Sequence, residues 1–323
     1  MFEYLFVLGF RFFMNTAYVK QHIVPKCYLD RFAEFNNGKY LIGTRYVDDN
    51  GVVKLFTEVT TKVGYVRNFY DVTDKEDEKH WEHYLANEID HLFDIELGNI
   101  ISSIHLSGEG FKLSDDDISA LSKIVVSQTV RVPESVDYVL DNLYPKVAKN
   151  VKKEILDMLP DDIRNRDKPI IDSIEMTKQS QKESYFNYFF DEKNFKKLSD
   201  VVKSRVWVVY INAVSSSLPF ITSDNPVLVE SLDDINRVGV FRNGIASPNT
   251  CFFFPLTPSI AIANYSNMGR FNHIANDLNM RVFKLEDTEY INRRNQGVMK
   301  QAFRHSFIPQ PLFDRLTKEN LTA

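Results

Sequence analysis

The order of local patterns constrains this chain most, because β-type and helical segments come in blocks and do not alternate. Strand-like runs at 39–47 and 52–59 flank the tetrapeptide Asp-Asp-Asn-Gly at 48–51. Asn-Gly between two such runs predicts a tight β-hairpin. A third β-rich run follows near 63–70. Regular βαβ units, which need alternation, are therefore not expected.

The middle of the chain has helical periodicity from about 76 to 205. A long helix is predicted at 76–104. A second helix begins at Ser114, whose hydroxyl suits an N-cap before three aspartates, and it stops before Pro133. Further helical patterns cover about 134–158 and 174–204.

The C-terminal third returns to β-type runs before one more helix. The predicted segments are strands at 207–211, 219–222, 251–255 and 260–264, and a final helix at about 286–305. We therefore predict an α+β fold with an N-terminal β-hairpin region, a central helical bundle and a C-terminal β-rich segment with a final helix.

The predicted organisation is a single domain over 14–323, preceded by a non-core extension at 1–13. The helical middle at 76–205 would pack on strands from 39–70 and 206–265. The apolar run at the N-terminus is interrupted by Glu3 and Arg11 and is shorter than the ~20 residues a membrane span needs. We therefore expect no membrane span and a cytoplasmic location, while the oligomeric state stays open.

Charge and motifs exclude several classes of protein. The net charge of −5 argues against a protein that coats nucleic acid, although a local basic groove remains compatible with it. No GxGxxG, GxxxxGK[ST], CxxC or GxSxG motif occurs. The sequence therefore carries no nicotinamide, flavin, haem or zinc signature, and its two cysteines do not form a disulfide framework.

Polar residues stand where two predicted helices should be apolar. At 100° per residue, Glu88 falls within the stripe that Ile95, Trp81, Leu85 and Ile89 define on the long helix, between Ile95 and Trp81. Gln128 falls on the apolar side of the next helix, with Arg131 close by. A buried carboxylate or guanidinium is costly without a partner. Each such residue therefore either has a specific structural partner or shapes a site.

Two segments carry a family resemblance. The first reads Gln-His-x-Val-Pro-x-x-Tyr-Leu-x-x-Phe from Gln21 to Phe32, and the second is Ser-Asp-Asn-Pro from Ser223 to Pro226. Together they resemble an uncharacterised, mostly bacterial domain family of unknown function. The helix that bears Glu88, the later Gln-x-x-Arg-x-Pro segment and a late helix with Asn292 fit the same pattern.

The resemblance implies a shared fold and a shared pocket but brings no established reaction. Its members are suspected of roles in defence against phage or mobile elements. The resembling segments and the polar helix residues together indicate one cleft. The predicted catalytic residues are His22, Glu88 and Asp224, and the predicted binding residues are Gln21, Gln128, Arg131, Asn225 and Asn292.

Three functional hypotheses follow. The first is a metal-assisted hydrolase that acts on nucleic acid or a nucleotide, in which Glu88 and Asp224 hold Mg²⁺ or Mn²⁺ and His22 is general acid or base. In that case Asp224→Ala should abolish activity with little loss of stability.

The second hypothesis is a non-catalytic sensor or binding protein for a small anionic ligand. Arg293, Lys300 and Arg304 would form a basic stripe on the last helix that steers the anion. The third hypothesis is that the polar residues are an interior network that stabilises the fold.

Overall fold

The computed structural model describes residues 20–71, 80–233, 243–268 and 275–321, and in it strands from both ends of the chain enclose a helical middle. The predicted α+β class is confirmed. The extension at 1–13 lies outside the described residues, and the single-domain boundaries stay a prediction.

The predicted hairpin is confirmed as β3 (Lys39–Val47) and β4 (Val53–Val59). Asp48 closes its turn, because its Oδ1 accepts hydrogen bonds from the backbone N–H groups of Asn50 and Val52. An aspartate that bonds to backbone two residues ahead stabilises such a turn.

Two segments from later in the chain complete this sheet. β12 (His305–Ile308) pairs with β3, and β7 (Thr222–Ser223) pairs with β12. The preceding strand, β2 (Glu34–Asn36), also pairs with β3. The third predicted β-run is shorter than expected. It forms β5 (Tyr65–Arg67), which pairs with β1 (Lys20–His22) in a separate two-stranded sheet.

A second sheet has the order β11-β6-β10-β9-β8. All residues of β9 and β10 are buried, which explains why their sequences are continuously apolar instead of alternating. In this sheet β11 runs parallel to β6, and the other described pairs are antiparallel. The five strands are β6 (Val206–Asn212), β8 (Leu228–Ser231), β9 (Thr250–Thr257), β10 (Ile260–Tyr265) and β11 (Arg281–Leu285).

The long helix is confirmed from residue 80, and its predicted start at 76 lies outside the described residues; two π-helical turns interrupt it. α2 (His80–Tyr84) runs through π turns at Leu85–Ile89 and Leu92–Glu96 into α3 (Leu97–Ser107). A π turn takes in more residues than an α turn, because its hydrogen bonds run from i to i+5. The buried positions therefore recur every four residues, at Trp81, Leu85, Ile89, Phe93 and Leu97.

The calculated stripe, which assumed an uninterrupted α-helix, is therefore wrong for two residues. Ile95 was expected inside the stripe, but its side chain is 54% exposed. Glu88 was also expected there, but it lies on the exposed side.

The next helices follow the predicted segments. Ser114 caps α4 (Asp115–Val130) in a reciprocal capping box with Asp117. The 134–158 pattern is one continuous helical stretch, whereas the 174–204 pattern is two helices because Asp191 caps the second. The elements are α5 (Pro133–Tyr138), a π turn at Val139–Leu143, α6 (Tyr144–Met158), α7 (Asp161–Ser173), α8 (Lys178–Phe189) and α9 (Glu192–Lys203).

The C-terminal region differs from its prediction at both ends. The strand expected at 219–222 is only β7, and the helix expected at 286–305 is α11 (Thr288–Gln301). The backbone turns extended at Ala302, and β12 and a further helix follow. The remaining helices are α1 (Lys26–Leu29), α10 (Ala275–Leu278) and α12 (Gln310–Leu321).

One large hydrophobic cluster joins all three blocks. It includes Ile23 beside β1, Phe186 of α8 and Phe254 of β9. Tyr28 of α1 is fully buried in it, and its hydroxyl donates to the carbonyl oxygen of Pro255 at 2.7 Å. Among the helices described, none is long and apolar enough to cross a membrane.

Candidate functional site

A buried guanidinium anchors the short strand β1. Arg131, at the end of α4, is 1% exposed, and its Nη2 donates to the carbonyl oxygen of His22 at 2.7 Å. Its Nη1 pairs with the Asp90 carboxylate at 2.7 Å, and its Nε donates to the Tyr70 hydroxyl at 3.3 Å. Burial lowers the pKa of Arg131, but Asp90 and Tyr70 more than offset this, so the pKa lies above its usual value. Arg131 is therefore charged, and it has a structural role in joining β1 to Asp90 and Tyr70.

Two buried glutamines connect the same segment to its neighbours, one by accepting and donating from within β1 and one by donating to its backbone. Gln128 is fully buried, and its Nε2 donates to the carbonyl oxygen of Ile23 at 2.9 Å. Gln21 is also fully buried; its Oε1 accepts from the backbone N–H of Tyr70 at 2.6 Å and its Nε2 donates to the Asp71 carboxylate at 2.5 Å. The predicted binding residues Gln21, Gln128 and Arg131 thus all take part in anchoring β1. Gln128 and Arg131 bond to the backbone at its end, and Gln21 bonds to the segment at residues 70–71.

The imidazole of His22 lies against the ring of Tyr65, with 6.3 Å between the ring centroids. Its Nε2 is buried and has no hydrogen-bond partner among the described residues. Burial lowers the pKa of His22, and the nearby Arg131 charge lowers it further. The ring is therefore neutral near pH 7.

Asp224 organises the turn that leads into β12. It follows β7 directly and is 1% exposed. Its Oδ1 accepts from the backbone N–H of Phe303 at 2.8 Å, and its Oδ2 accepts from those of Arg304 and His305 at 2.9 and 2.8 Å. Three backbone donors thus satisfy one buried carboxylate, which leaves it little capacity to bind a metal ion as well.

The same carboxylate faces the imidazole of His305. Nδ1 of His305 lies 3.2 Å from Oδ2 of Asp224. The ring is also packed beside Tyr46, with 4.9 Å between the ring centroids, and its side chain is 25% exposed. A carboxylate at Nδ1 favours the tautomer with the proton on that atom, which leaves the lone pair on Nε2. This is the arrangement of a histidine general base held by an aspartate.

Asp224 and His305 line a cleft of about 550 Å³. Its other wall is β5 with Ile23 of the β1 segment. Three cationic residues and four aromatic residues line it, namely Lys62, Arg67, Arg304, Tyr46, Phe56, Tyr65 and Phe303. The cleft is therefore locally basic and aromatic although the chain as a whole is acidic.

The cationic side chains of the cleft are partly exposed. Arg304 pairs with Asp49 at 2.7 Å, and Lys62 pairs with Glu58 at 3.5 Å. Such exposed ion pairs contribute at most about 1 kcal/mol, so a phosphate can replace the carboxylates. Phe56 and Phe303 are each 38% exposed and present ring surface to solvent.

A second recess of about 340 Å³ adjoins the cleft. The two cavities share Val66 and Phe303 in their linings. Lys178 and Lys182 of α8 line the recess together with Asp137, so its lining carries two cationic residues and one acidic residue. Positive charge thus occurs in both cavities, with Phe303 common to the two.

Asn225 stabilises the loop after β7. Its Nδ2 donates to Glu134 at 3.1 Å, and its carbonyl oxygen accepts from Nε2 of Gln301 at 3.3 Å. Gln301 also donates to the carbonyl oxygen of Val227 at 2.6 Å. Asn225 therefore lies next to Asp224, as predicted, but its amide is engaged in this loop.

The structure does not bring Glu88 and Asn292 to the cleft. Both side chains are exposed, and neither residue lines either cavity. His22 does not line the cleft either, although its neighbour Ile23 does. No group of three or more His, Cys, Asp or Glu that could hold a metal ion occurs among the described residues. The metal role of Glu88 and Asp224 stays a prediction that this geometry does not favour.

Sequence reasoning missed His305 and misplaced Arg304. The predicted basic stripe assigned Arg304 to the last helix, but that helix ends at Gln301 and Arg304 lies in the turn held by Asp224. The buried asparagine of α11 is Asn295, which donates to the carbonyl oxygen of Pro219 at 2.9 Å. The run His-Ser-Phe-Ile at β12 is a short strand pattern that could have indicated the end of the helix.

Comparison with known proteins identifies a family but no function. The chain belongs to the family described as Protein of unknown function (DUF4238), whose profile matches residues 20–308. The match includes both segments that carry the resemblance and the whole cleft. No curated protein and no solved structure matches the chain.

Asp224→Ala should destabilise the protein, contrary to the expectation from sequence. The change leaves three backbone N–H groups of the 303–305 turn without their acceptor. We expect the free energy of unfolding to fall by about 3 kcal/mol or more, measured by urea denaturation. Asp49→Ala, at an exposed position beside the same turn, should change it by less than about 0.5 kcal/mol. Equal stability of the two variants would contradict the proposed role of Asp224.

His22 should make stability depend on pH. Its pKa is lower in the folded state than the ordinary value near 6.5, so the unfolded chain takes up its proton first as the pH falls. The stabilisation is complete above about pH 6.5 and is lost as the pH falls through the folded-state pKa. In His22→Gln, the melting temperature should therefore drop less between pH 7.5 and 5 than in the wild type. The exposed His91→Gln is the control, and an identical pH profile for His22→Gln and wild type would disprove the effect.

Proposed function

We propose that this member of a family of unknown function is a hydrolase of phosphate esters in a nucleotide or single-stranded nucleic acid, with His305 as its general base. The observation that carries the proposal is the Asp224–His305 pair in the wall of a cleft with three cationic residues. A general base needs a lone pair directed at the reacting atoms, and an anionic ester needs positive charge around it.

The chemistry follows from the positions of these groups. Nε2 of His305 would take the proton from a water molecule as the water oxygen attacks phosphorus and the ester P–O bond breaks. The imidazolium would then return this proton to the leaving alkoxide oxygen, which restores the neutral ring. Asp224 would stabilise the imidazolium that forms, without accepting the proton itself. Lys62, Arg67 and Arg304 would balance the negative charge that the phosphoryl oxygens carry in the transition state.

The aromatic residues of the cleft support a nucleotide substrate over a simple phosphate ester. Phe56 and Phe303 expose ring faces beside the cationic residues. Bases stack on such rings with about 1–3 kcal/mol each, and the combination with a basic groove is typical of single-strand binding sites. The adjoining recess, with Lys178 and Lys182, offers room for a neighbouring nucleotide.

Mg²⁺ or Mn²⁺ stays a predicted cofactor. Asp224 is a poor ligand for it because three backbone N–H groups already occupy its oxygens. Substrate phosphates commonly supply ligands for Mg²⁺, and a requirement for the ion could arise in that way. Activity with and without a chelator tests this requirement independently of His305.

His305→Gln should remove turnover and retain binding. The substrates are fluorescently labelled single-stranded DNA and RNA and a panel of nucleotides. General-base catalysis contributes about 10²–10⁴-fold, so we expect kcat to fall at least 10²-fold while the dissociation constant for a non-hydrolysable oligonucleotide changes little. His91→Gln, at an exposed position of the long helix, should keep full activity.

Two results would contradict the proposal that the protein is a hydrolase with His305 as its general base. If the His305→Gln variant keeps its kcat, His305 is not the general base. If oligonucleotides or nucleotides bind to the wild type but no product forms, the alternative is favoured, namely a non-catalytic sensor of an anionic ligand.

The resemblance adds a biological prediction, a role in defence against phage or mobile elements. A cytoplasmic nucleotide or nucleic-acid hydrolase suits that role, because its substrates are present during infection. Phage should then plate with lower efficiency on bacteria that express the wild type than on those that express His305→Gln. Equal plating on the two strains across a varied phage panel would remove this prediction and leave the enzymatic one intact.

A further inference from the structure

A third cavity, of about 310 Å³, adjoins the cleft and is called the distal depression below. It is lined by Lys26 of α1, by residues 38–40 at the start of β3 and by residues 59–62. Lys62 lines both the distal depression and the cleft. The cleft shares Val66 and Phe303 with the recess, whereas the distal depression and the recess share none of the described residues. The cleft is therefore the middle one of three adjoining cavities.

Positive charge is common to the three cavities. In each of them the described cationic lining residues outnumber the acidic ones, which are Asp224 in the cleft and Asp137 in the recess. The cationic residues are Lys26, Lys39 and Lys62 in the distal depression, Lys62, Arg67 and Arg304 in the cleft, and Lys178 and Lys182 in the recess. An anionic chain could therefore contact positive charge along the whole series.

Lys39 is the cation of the distal depression that is most open to a ligand. Lys26 pairs with Asp30 at 2.5 Å, and Lys62 pairs with Glu58. Lys39 is exposed, and it has no acidic partner within the part of the chain that the structure describes. A phosphate at this position would meet a cation without first displacing a carboxylate.

Exposed aromatic rings accompany these charges. Tyr40 lines the distal depression, and Nζ of Lys26 lies 5.2 Å from the centre of its ring. Phe35 of β2 extends this aromatic surface, because its side chain is 63% exposed and its ring centroid lies 5.0 Å from that of Tyr40. Phe56 in the cleft and Phe303 between the cleft and the recess repeat the pattern. Every cavity thus combines cations with an exposed ring.

This repetition fits a polymer better than a single nucleotide. A mononucleotide would occupy the cleft alone, which at about 550 Å³ has the size of an ordinary small-ligand pocket. A single strand presents a phosphate and a base at every nucleotide, so it can use the cations and rings of successive cavities. Because a cavity adjoins the cleft on each side, the strand would continue past His305 in both directions.

We propose that the distal depression is a backbone-binding subsite for single-stranded nucleic acid, and that the strand runs from it through the cleft to the recess and is cut internally at His305. The cutting step rests on the proposed function. Water adds across one P–O bond of the interior phosphodiester, so one product ends in a phosphate monoester and the other in a hydroxyl group. The step consumes no other reactant.

Covalently closed circles of single-stranded DNA and RNA test internal cleavage by the full chain. A circle has no end, so a linear product forms only if an interior bond is cut. We expect the wild type to linearise at least one kind of circle. If it hydrolyses nucleotides or trims linear oligonucleotides but leaves both kinds of circle intact, internal cleavage is wrong and the proposed hydrolase stands. If no substrate gives a product, the proposed hydrolase is wrong, and internal cleavage falls with it.

The salt dependence of binding tests the distal depression separately from catalysis. A fluorescent single-stranded oligonucleotide is titrated in the His305→Gln background, which prevents turnover. For single strands, each phosphate contact contributes about −0.7 to the slope of log K against log[salt]. Lys39→Gln should therefore reduce the magnitude of the slope by about 0.7 and raise the dissociation constant about fivefold at about 0.1 M salt.

Lys112→Gln is the matched control for this measurement. Lys112 is an exposed lysine between α3 and α4 and lines none of the three cavities, so its slope and dissociation constant should equal those of the background. Circular dichroism should show the same fold for both lysine variants. If Lys39→Gln leaves the slope unchanged, or changes it no more than Lys112→Gln does, the distal depression does not bind the strand.

Discussion

The ion pair between Arg131 and Asp90 is the contact on which the N-terminal half of the structure depends. β1 has only three residues and one pairing partner, which is too little to hold a strand by itself. The buried guanidinium of Arg131 holds the strand in place, because it donates a hydrogen bond to the backbone carbonyl oxygen of His22. Removing one partner of a buried pair typically costs about 3–5 kcal/mol, because the other charge is left uncompensated. The wall of the cleft formed by β5 thus depends on one guanidinium.

At the other wall of the cleft, Asp224 is likewise a buried charged group that holds a backbone segment through hydrogen bonds. Its carboxylate accepts hydrogen bonds from three backbone N–H groups. A carboxylate has enough acceptor sites for all three, so it can stabilise a turn that apolar packing alone would leave with unsatisfied N–H groups. The polar residues that stand out in the sequence are therefore mostly structural. The groups suited to chemistry are the neighbours that they position, namely His305 and Arg304.

This division of roles explains how an acidic chain can present a basic cleft. The chain has a net charge of −5, whereas Lys62, Arg67 and Arg304 converge because β5, the segment before it and the turn before β12 meet there.

Local sequence determined the elements whose signals are local. The Asn-Gly turn predicted the hairpin, Ser114 predicted the start of α4, and continuous apolar runs predicted the buried strands β9 and β10. The sequence also indicated correctly that Gln128 and Arg131 need specific partners, because burial of such groups without partners is too costly. The family block marked the segment that contributes Ile23 to one wall of the cleft.

Tertiary structure decided what has no local signal. Glu88 is exposed because two π turns change the helical repeat from 3.6 residues toward four, and packing of the apolar residues selects that repeat. The exposed position of Asn292 and the end of α11 before Arg304 were likewise not predictable from periodicity. The pair of Asp224 and His305 joins residues 81 positions apart in the chain. Such contacts form only when the strands pair. A hydrogen bond between distant segments produces no periodic pattern in the sequence of either segment, so it cannot be predicted from periodicity.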